Sequence, residues 1–193
     1  MRSIGYSFNN AIADIVDNSI AANATQINIQ CDWAGYEPTL EIKDNGFGMN
    51  YDQLEEAMRL GSKSPVEERA KTDLGRFGLG LKTASFSQCK KLTVITKKEE
   101  QTFKAVWDLD LVVKENKWII DIEELKGASP LMNDGTIIKW EKIDTFEKKN
   151  QQIIVAALRH DLKKSKKNYL KIADLLEKYN CIPYSTKRSI FQF

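Results

Sequence analysis

Histidine is nearly absent from this chain: His160 is the single one among 193 residues. A serine or cysteine nucleophile that relies on an imidazole base has only that residue to use, so the common hydrolase triads lack a part. Cysteine is scarce too. Cys31, Cys89 and Cys181 stand far apart. A closed structural zinc site needs four Cys or His ligands in closely spaced pairs, and that spacing is missing. An odd cysteine count with no signal-peptide pattern fits a reducing cytoplasm rather than a disulfide framework. No apolar run nears the ~20 residues that span a bilayer, so no membrane role is expected. Nor is there a large excess of charge: 29 Lys and Arg face 27 Asp and Glu, a net +2.

What is present is an ordinary globular composition, 42% hydrophobic and 29% charged. The length suits about one domain, with enough chain to build a core. The charge is unevenly placed. Residues 145–193 carry eleven Lys and Arg against four Asp and Glu, and the rest of the chain carries 18 against 23. A mildly acidic body thus precedes a basic C-terminal segment.

Residues 8–23 predict an amphipathic helix, with Phe8, Ile12, Ile15, Val16 and Ser19 on one face and Asn10, Asp14, Asp17 and Asn18 on the other. Alternation predicts strands over 26–31 and 39–44. Asn50 and Gln53 predict a capping box opening a helix to about Leu60. Residues 61–76 lose periodicity and read as a long, functional loop. A helix follows over about 80–88, then strands near 91–97, 102–109, 117–121 and 135–141. Helical pattern returns over 145–178. This order is an α+β pattern, a mixed sheet covered by helices.

Four short stretches can carry chemistry. In the first helix Asp14, Asp17 and Asn18 share a stripe. Asn18 can give a carbonyl oxygen to Mg²⁺, and Asp14 can orient or deprotonate a water. The competing reading is a solvated helix face. Second, Asp44-Asn45-Gly46-Phe47-Gly48-Met49 ends an apolar strand. Its carboxylate can accept from an exocyclic amine such as that of adenine, and its glycines let backbone approach a flat ligand. The competing reading is an Asn-Gly hairpin turn. Third, Gly75-Arg76-Phe77-Gly78-Leu79-Gly80 precedes Leu81-Lys82-Thr83-Ala84-Ser85. Glycines opening a helix make an anion cradle. The order GxxGxG, with a charged loop in front, fits neither a P-loop nor a Rossmann turn. The alternative is a hinge before a core helix. Fourth, Asp134-Gly135-Thr136 opens a strand, and the threonine hydroxyl can share an adenine contact with Asp44; a loop-to-strand Gly-Thr is also common.

Taken in order, these stretches resemble the GHKL superfamily of gyrase B, the ninety-kilodalton heat-shock chaperone, histidine kinases and MutL. The resemblance covers roughly Tyr6 to Glu141, and GxGLK brings it nearest to the MORC-like and MutL-like branch. It implies the Bergerat ATP-binding fold, with a mixed sheet, helices on one face and a mobile ATP lid. It implies a GHKL-type ATP-binding domain over 1–143 and leaves 144–193 as a basic helical C-terminal extension. It places Asp14 as the catalytic acid, Asn18 on Mg²⁺ and Asp44 on adenine. Gly46, Gly48 and Met49 line the base pocket, Gly75, Gly78, Gly80 and Lys82 hold phosphates, and Thr136 makes the last contact. The implied function is Mg²⁺-dependent ATP binding and slow hydrolysis, with nucleotide closing the lid and switching homodimerisation or partner docking.

Two departures bear on turnover. Hydrolytic members carry Glu where this chain has Asp14, one methylene shorter. Only about 50 residues follow the Thr136 strand, too few for the lysine-bearing transducer domain of hydrolytic relatives. A non-catalytic ATP-sensing switch is therefore the alternative. His160 reads as a surface residue, and no histidine precedes Asp14, which sets the kinase branch aside. Lys163-Lys164-Ser165-Lys166-Lys167 can touch nucleic-acid phosphates, although a charge run is usually a solvated face.

Overall fold

A computed structural model describes residues 7–32, 37–59, 80–144 and 189–192. Its elements are α1 (Phe8–Ala21), β1 (Gln26–Asp32), β2 (Thr39–Asp44), α2 (Tyr51–Met58), α3 (Gly80–Gln88), β3 (Cys89–Lys98), β4 (Gln101–Asp108), α4 (Leu109–Glu115), β5 (Asp121–Glu124), β6 (Gly135–Ile143) and β7 (Ser189–Gln192). Local sequence accounts for most of these limits. The Ser7 hydroxyl caps α1, accepting from the Asn10 amide at 3.2 Å. The expected capping box opens α2: Asn50 accepts from the Gln53 amide at 2.9 Å, and Gln53 accepts from the Asn50 amide at 3.1 Å. β3 turns into β4 through Glu99 and Glu100, both at positive φ, as a two-residue hairpin turn requires.

One sheet holds the strands in the order β5-β4-β3-β6-β2-β1-β7. Register sets three rows across its buried face. Trp107, Leu92, Trp140 and Leu40 make one row, and Ala105, Val94, Ile138 and Ile42 the next. The third runs Phe103, Thr96, Thr136, Asp44, Ile27. Here the apolar face gives way to polar side chains. α1 and α3 pack on each other and over this face, joining it in one core cluster. Ile12 and Ile15 of α1 are fully buried, each stabilising the fold by about 1.5–3 kcal/mol. The buried indole of Trp140 donates to Ser85 of α3 at 2.8 Å and meets Phe8 edge-on at 5.9 Å.

The opposite face is charged and wet, with Lys104–Glu123 at 2.7 Å and Lys91–Glu141 at 3.2 Å. Segment 125–134 is held there by Lys43, whose Nζ donates to the Pro130 carbonyl at 2.9 Å, and by Lys97, whose Nζ donates to Met132 at 3.1 Å. Its end delivers Gly135 and Thr136 into β6.

The α+β fold is as expected, but three details differ. Each of the six ladders is antiparallel, so the sheet is not mixed among the described residues. β1–β2 and β3–β4 are direct antiparallel neighbours; β2 and β3 run in the same direction, but β6 lies between them and pairs antiparallel with both. The strand expected at 117–121 begins at Asp121, and α4 lies before it. Asp108 caps α4 by accepting from the Asp110 amide at 3.0 Å, and Asn116 ends it in the left-handed region. Within the C-terminal extension expected to be helical, residues 189–192 are a strand paired to β1. Residues 145–188, with the basic run and His160, and the loop 61–76 lie outside the described residues.

Candidate functional site

The polar end of the third row is where the motifs meet. Asp44 closes β2 and is buried. Its Oδ1 accepts from the Gly46 amide at 2.9 Å and from the Thr136 amide at 3.2 Å. Its Oδ2 accepts from the Ser19 hydroxyl of α1 at 2.8 Å. Burial raises the Asp44 pKa, while the bonds from Gly46, Ser19 and Thr136 pull it down. A carboxylate has about four acceptor positions. Three are used here, which leaves one on Oδ2 for a donor that enters the corner.

The backbone around this carboxylate is drawn in tightly. Gly48 adopts φ +60, and a Cβ there would run into the Lys97 carbonyl. Gly135 adopts φ +153, and a Cβ there would run into the Asp44 carbonyl. A Cβ on Gly46 would stand 2.7 Å from the Ala22 carbonyl. Only glycine meets these demands. Thr96 Oγ1 accepts from the Met49 amide at 2.8 Å and donates to the Gly135 carbonyl at 3.1 Å, tying the second motif to the fourth. It also lies 3.4 Å from Thr136 Oγ1.

Asn45 joins this turn to the start of β1. Its Oδ1 accepts from the Thr25 and Gln26 amides at 2.9 and 2.8 Å, and its Nδ2 donates to Thr25 Oγ1 at 2.9 Å. The Phe47 amide adds a bond to the Ala22 carbonyl at 3.0 Å. This is not a hairpin turn: the segment runs from β2 into α2, bound sideways to α1.

α1 carries Asp14 half-buried and Asn18 exposed, one turn apart. Asn18 adjoins Ser19, so the first motif reaches the carboxylate through its buried neighbour. Gly80 opens α3, and among the described residues no atom lies within 4 Å of where its Cβ would stand. Lys82 is fully buried, and its Nζ donates to the Arg59 carbonyl at 2.5 Å, at the end of α2. Gly75 and Gly78 lie outside the described residues. The structure thus brings Asp44, Gly46, Gly48, Met49 and Thr136 into one corner.

Sequence reasoning did not assign Ser19, Asn45, Thr96 or Gly135 to the site. Ser19 lay on the apolar helix face and read as core. Asn45 and Gly135 stood inside recognised motifs beside the chosen residues. Thr96 gave no local signal, because only strand register puts it beside Thr136.

Residues 6–145 match the profile of the histidine kinase-, DNA gyrase B- and HSP90-like ATPases. The chain belongs to this ATPase family. Its relatives fall in the MORC and MutL branch. It is 33% identical over 89 residues to ATPase morc-1 of Caenorhabditis elegans, covering 46% of this chain and 10% of that protein. It is 31% identical over 97 residues to the DNA mismatch repair protein MutL of Neisseria meningitidis serogroup C, covering 48% of this chain and 14% of the relative. ATPase MORC2B of Mus musculus is 34% identical over 94 residues, covering 46% and 9%. The matched stretch thus spans only about a tenth to a seventh of these relatives. Among the described residues of this ATPase-family chain, no three His, Cys, Asp or Glu side chains cluster as a metal cage. No helix of the described residues is long and apolar enough to cross a membrane.

Proposed function

We propose that this chain is a Mg²⁺-dependent ATP-binding and slowly hydrolysing module whose nucleotide state switches homodimerisation or docking to a partner protein. The observation that carries the reading is the Asp44 corner: a buried carboxylate with one acceptor position free, walled by glycine backbone. Oδ2 accepts from the adenine amino group. Gly46, Gly48 and Met49 offer the flat wall, and Thr136 sits beside the carboxylate. Gly75, Gly78 and Gly80 contact phosphates, and the loop over 61–76 closes on them. Asn18 would hold Mg²⁺ through its carbonyl oxygen, and the metal would supply neutralisation of phosphate charge. Asp14, one turn away, orients the attacking water and takes its proton.

Thermal melts with Mg²⁺-ADP and Mg²⁺-ATP, beside Asp44→Asn, test the binding half. Ligand at 100 times its Kd adds about 2.7 kcal/mol, a rise of roughly 5–10 °C at this size. The rise is expected in the parent and lost in Asp44→Asn; no rise with either nucleotide rejects the reading. Phosphate release tests the rest. Turnover should drop by about 100-fold in Asp14→Ala. Equal turnover would favour the non-catalytic switch, a reading supported by the shorter acid at Asp14.

A further inference from the structure

The C-terminus of α2 is closed from outside. The last carbonyls of a helix have no intrahelical partner and need one where they are buried. The Trp107 indole, from β4, donates to the Met58 carbonyl at 3.0 Å. The Lys82 ammonium, from α3, donates to the Arg59 carbonyl at 2.5 Å. Lys82 is 0% exposed. Burial lowers its pKa, and the charge of Glu56 on α2 works in the opposite direction. A buried cation needs compensation, and the negative end of a helix supplies it. An ammonium committed in this way is not aimed at a ligand's phosphates. α2 in turn is capped by Asn50, directly after Met49, whose amide is pinned to Thr96 in the corner. The helix therefore has one end on the base-binding turn and the other under Lys82.

We propose that Lys82 is a positioning residue rather than a phosphate ligand: with Trp107 it caps the C-terminus of α2 and so holds the Gly46–Met49 turn against the adenine corner. The ligand half of this claim rests on the nucleotide reading above; the capping half does not.

The test compares the parent with Lys82→Met in the full chain. Melting is measured without ligand, and affinities for adenosine, ADP and Mg²⁺-ATP by calorimetry. Loss of the cap should lower the melting temperature by roughly 5–10 °C. It should weaken adenosine, ADP and ATP by one common factor, about 10-fold or more. A loss confined to the phosphate-bearing ligands would make Lys82 a phosphate ligand and overturn the proposal. An unchanged melting temperature would overturn the cap, and unchanged affinities would overturn the positioning role. Should Lys82→Met not fold, Trp107→Phe removes the other cap and must give the same pattern at smaller size. If the parent binds none of the three ligands, the nucleotide reading fails, while the ligand-free melting comparison still decides the cap.

Discussion

Asp44 is held by two backbone amides and one hydroxyl, yet burial outweighs them and raises its pKa from 3.8. The native state then keeps a proton that the unfolded chain has already released. Stability contributed by Asp44 is present at pH values below 3.8, falls as pH rises through the raised native value, and stays level above it. Asp44→Asn removes this loss. Its amide oxygen can still accept from Gly46 and Thr136, and its NH₂ can donate to Ser19. The ligand-free variant should match or exceed the parent's stability at pH 7, within about 1 kcal/mol, while losing nucleotide binding because an NH₂ now faces the adenine amine. Denaturant titrations of both proteins between pH 4 and 8 isolate the effect in the difference between the curves. A variant several kcal/mol less stable at pH 7 would contradict this account. Asp44 was legible because a carboxylate followed by two glycines is unusual at a strand end. Ser19 was not: at helical spacing a small polar residue on an apolar face looks like core filling, and only its contact with a strand 25 residues later reveals its role.

The elements were mostly legible because their caps and periodicities are local. α1, α2 and α3 end within a turn of where pattern alone put them, and the capping box at Asn50 is present atom for atom. The gap lies at Leu109–Glu115, which pattern left unassigned between the strands expected at 102–109 and 117–121. Asp108 caps a helix there, and Leu109 and Val112, three apart, pack on the core. The glycines of the second and third motifs also separate at this scale. Gly48 lies at positive φ against the Lys97 carbonyl, whereas a Cβ on Gly80, which opens a helix, would meet no atom of the described residues. Gly48→Ala should cost about 2–4 kcal/mol, because strain and a backbone collision act together. Gly80→Ala should leave stability unchanged or raise it by up to about 1 kcal/mol. It should still weaken nucleotide binding if its backbone lies against phosphate. Urea unfolding of the two variants, followed by nucleotide titration of Gly80→Ala, distinguishes a structural glycine from one that makes room for a ligand.

Across the whole molecule, the site is built from α1, β2, β3 and β6, so it exists only when the centre of the sheet is paired. The edge bearing β5 and α4 is different. α4 has no buried residue, β5 is largely exposed, and Leu111, Val113 and Trp118 stand open to solvent. Few buried contacts mean a low cost of local opening. In hydrogen exchange, amides of β5 and α4 should therefore exchange by local opening, and those of β3 and β6 only by global unfolding. Ligand that binds the corner cannot bind a molecule whose β2, β3 and β6 have separated. At 100 times its Kd it should slow the β3 and β6 amides by about 100-fold, the full linkage factor. The β5 and α4 amides should gain much less, because they can open while the corner stays closed around its ligand. Uniform slowing across both regions would mean that the edge and the site unfold as one unit. No slowing in β3 and β6 would mean that the ligand binds without needing the paired centre, which the contacts of Thr96, Thr136 and Asp44 forbid.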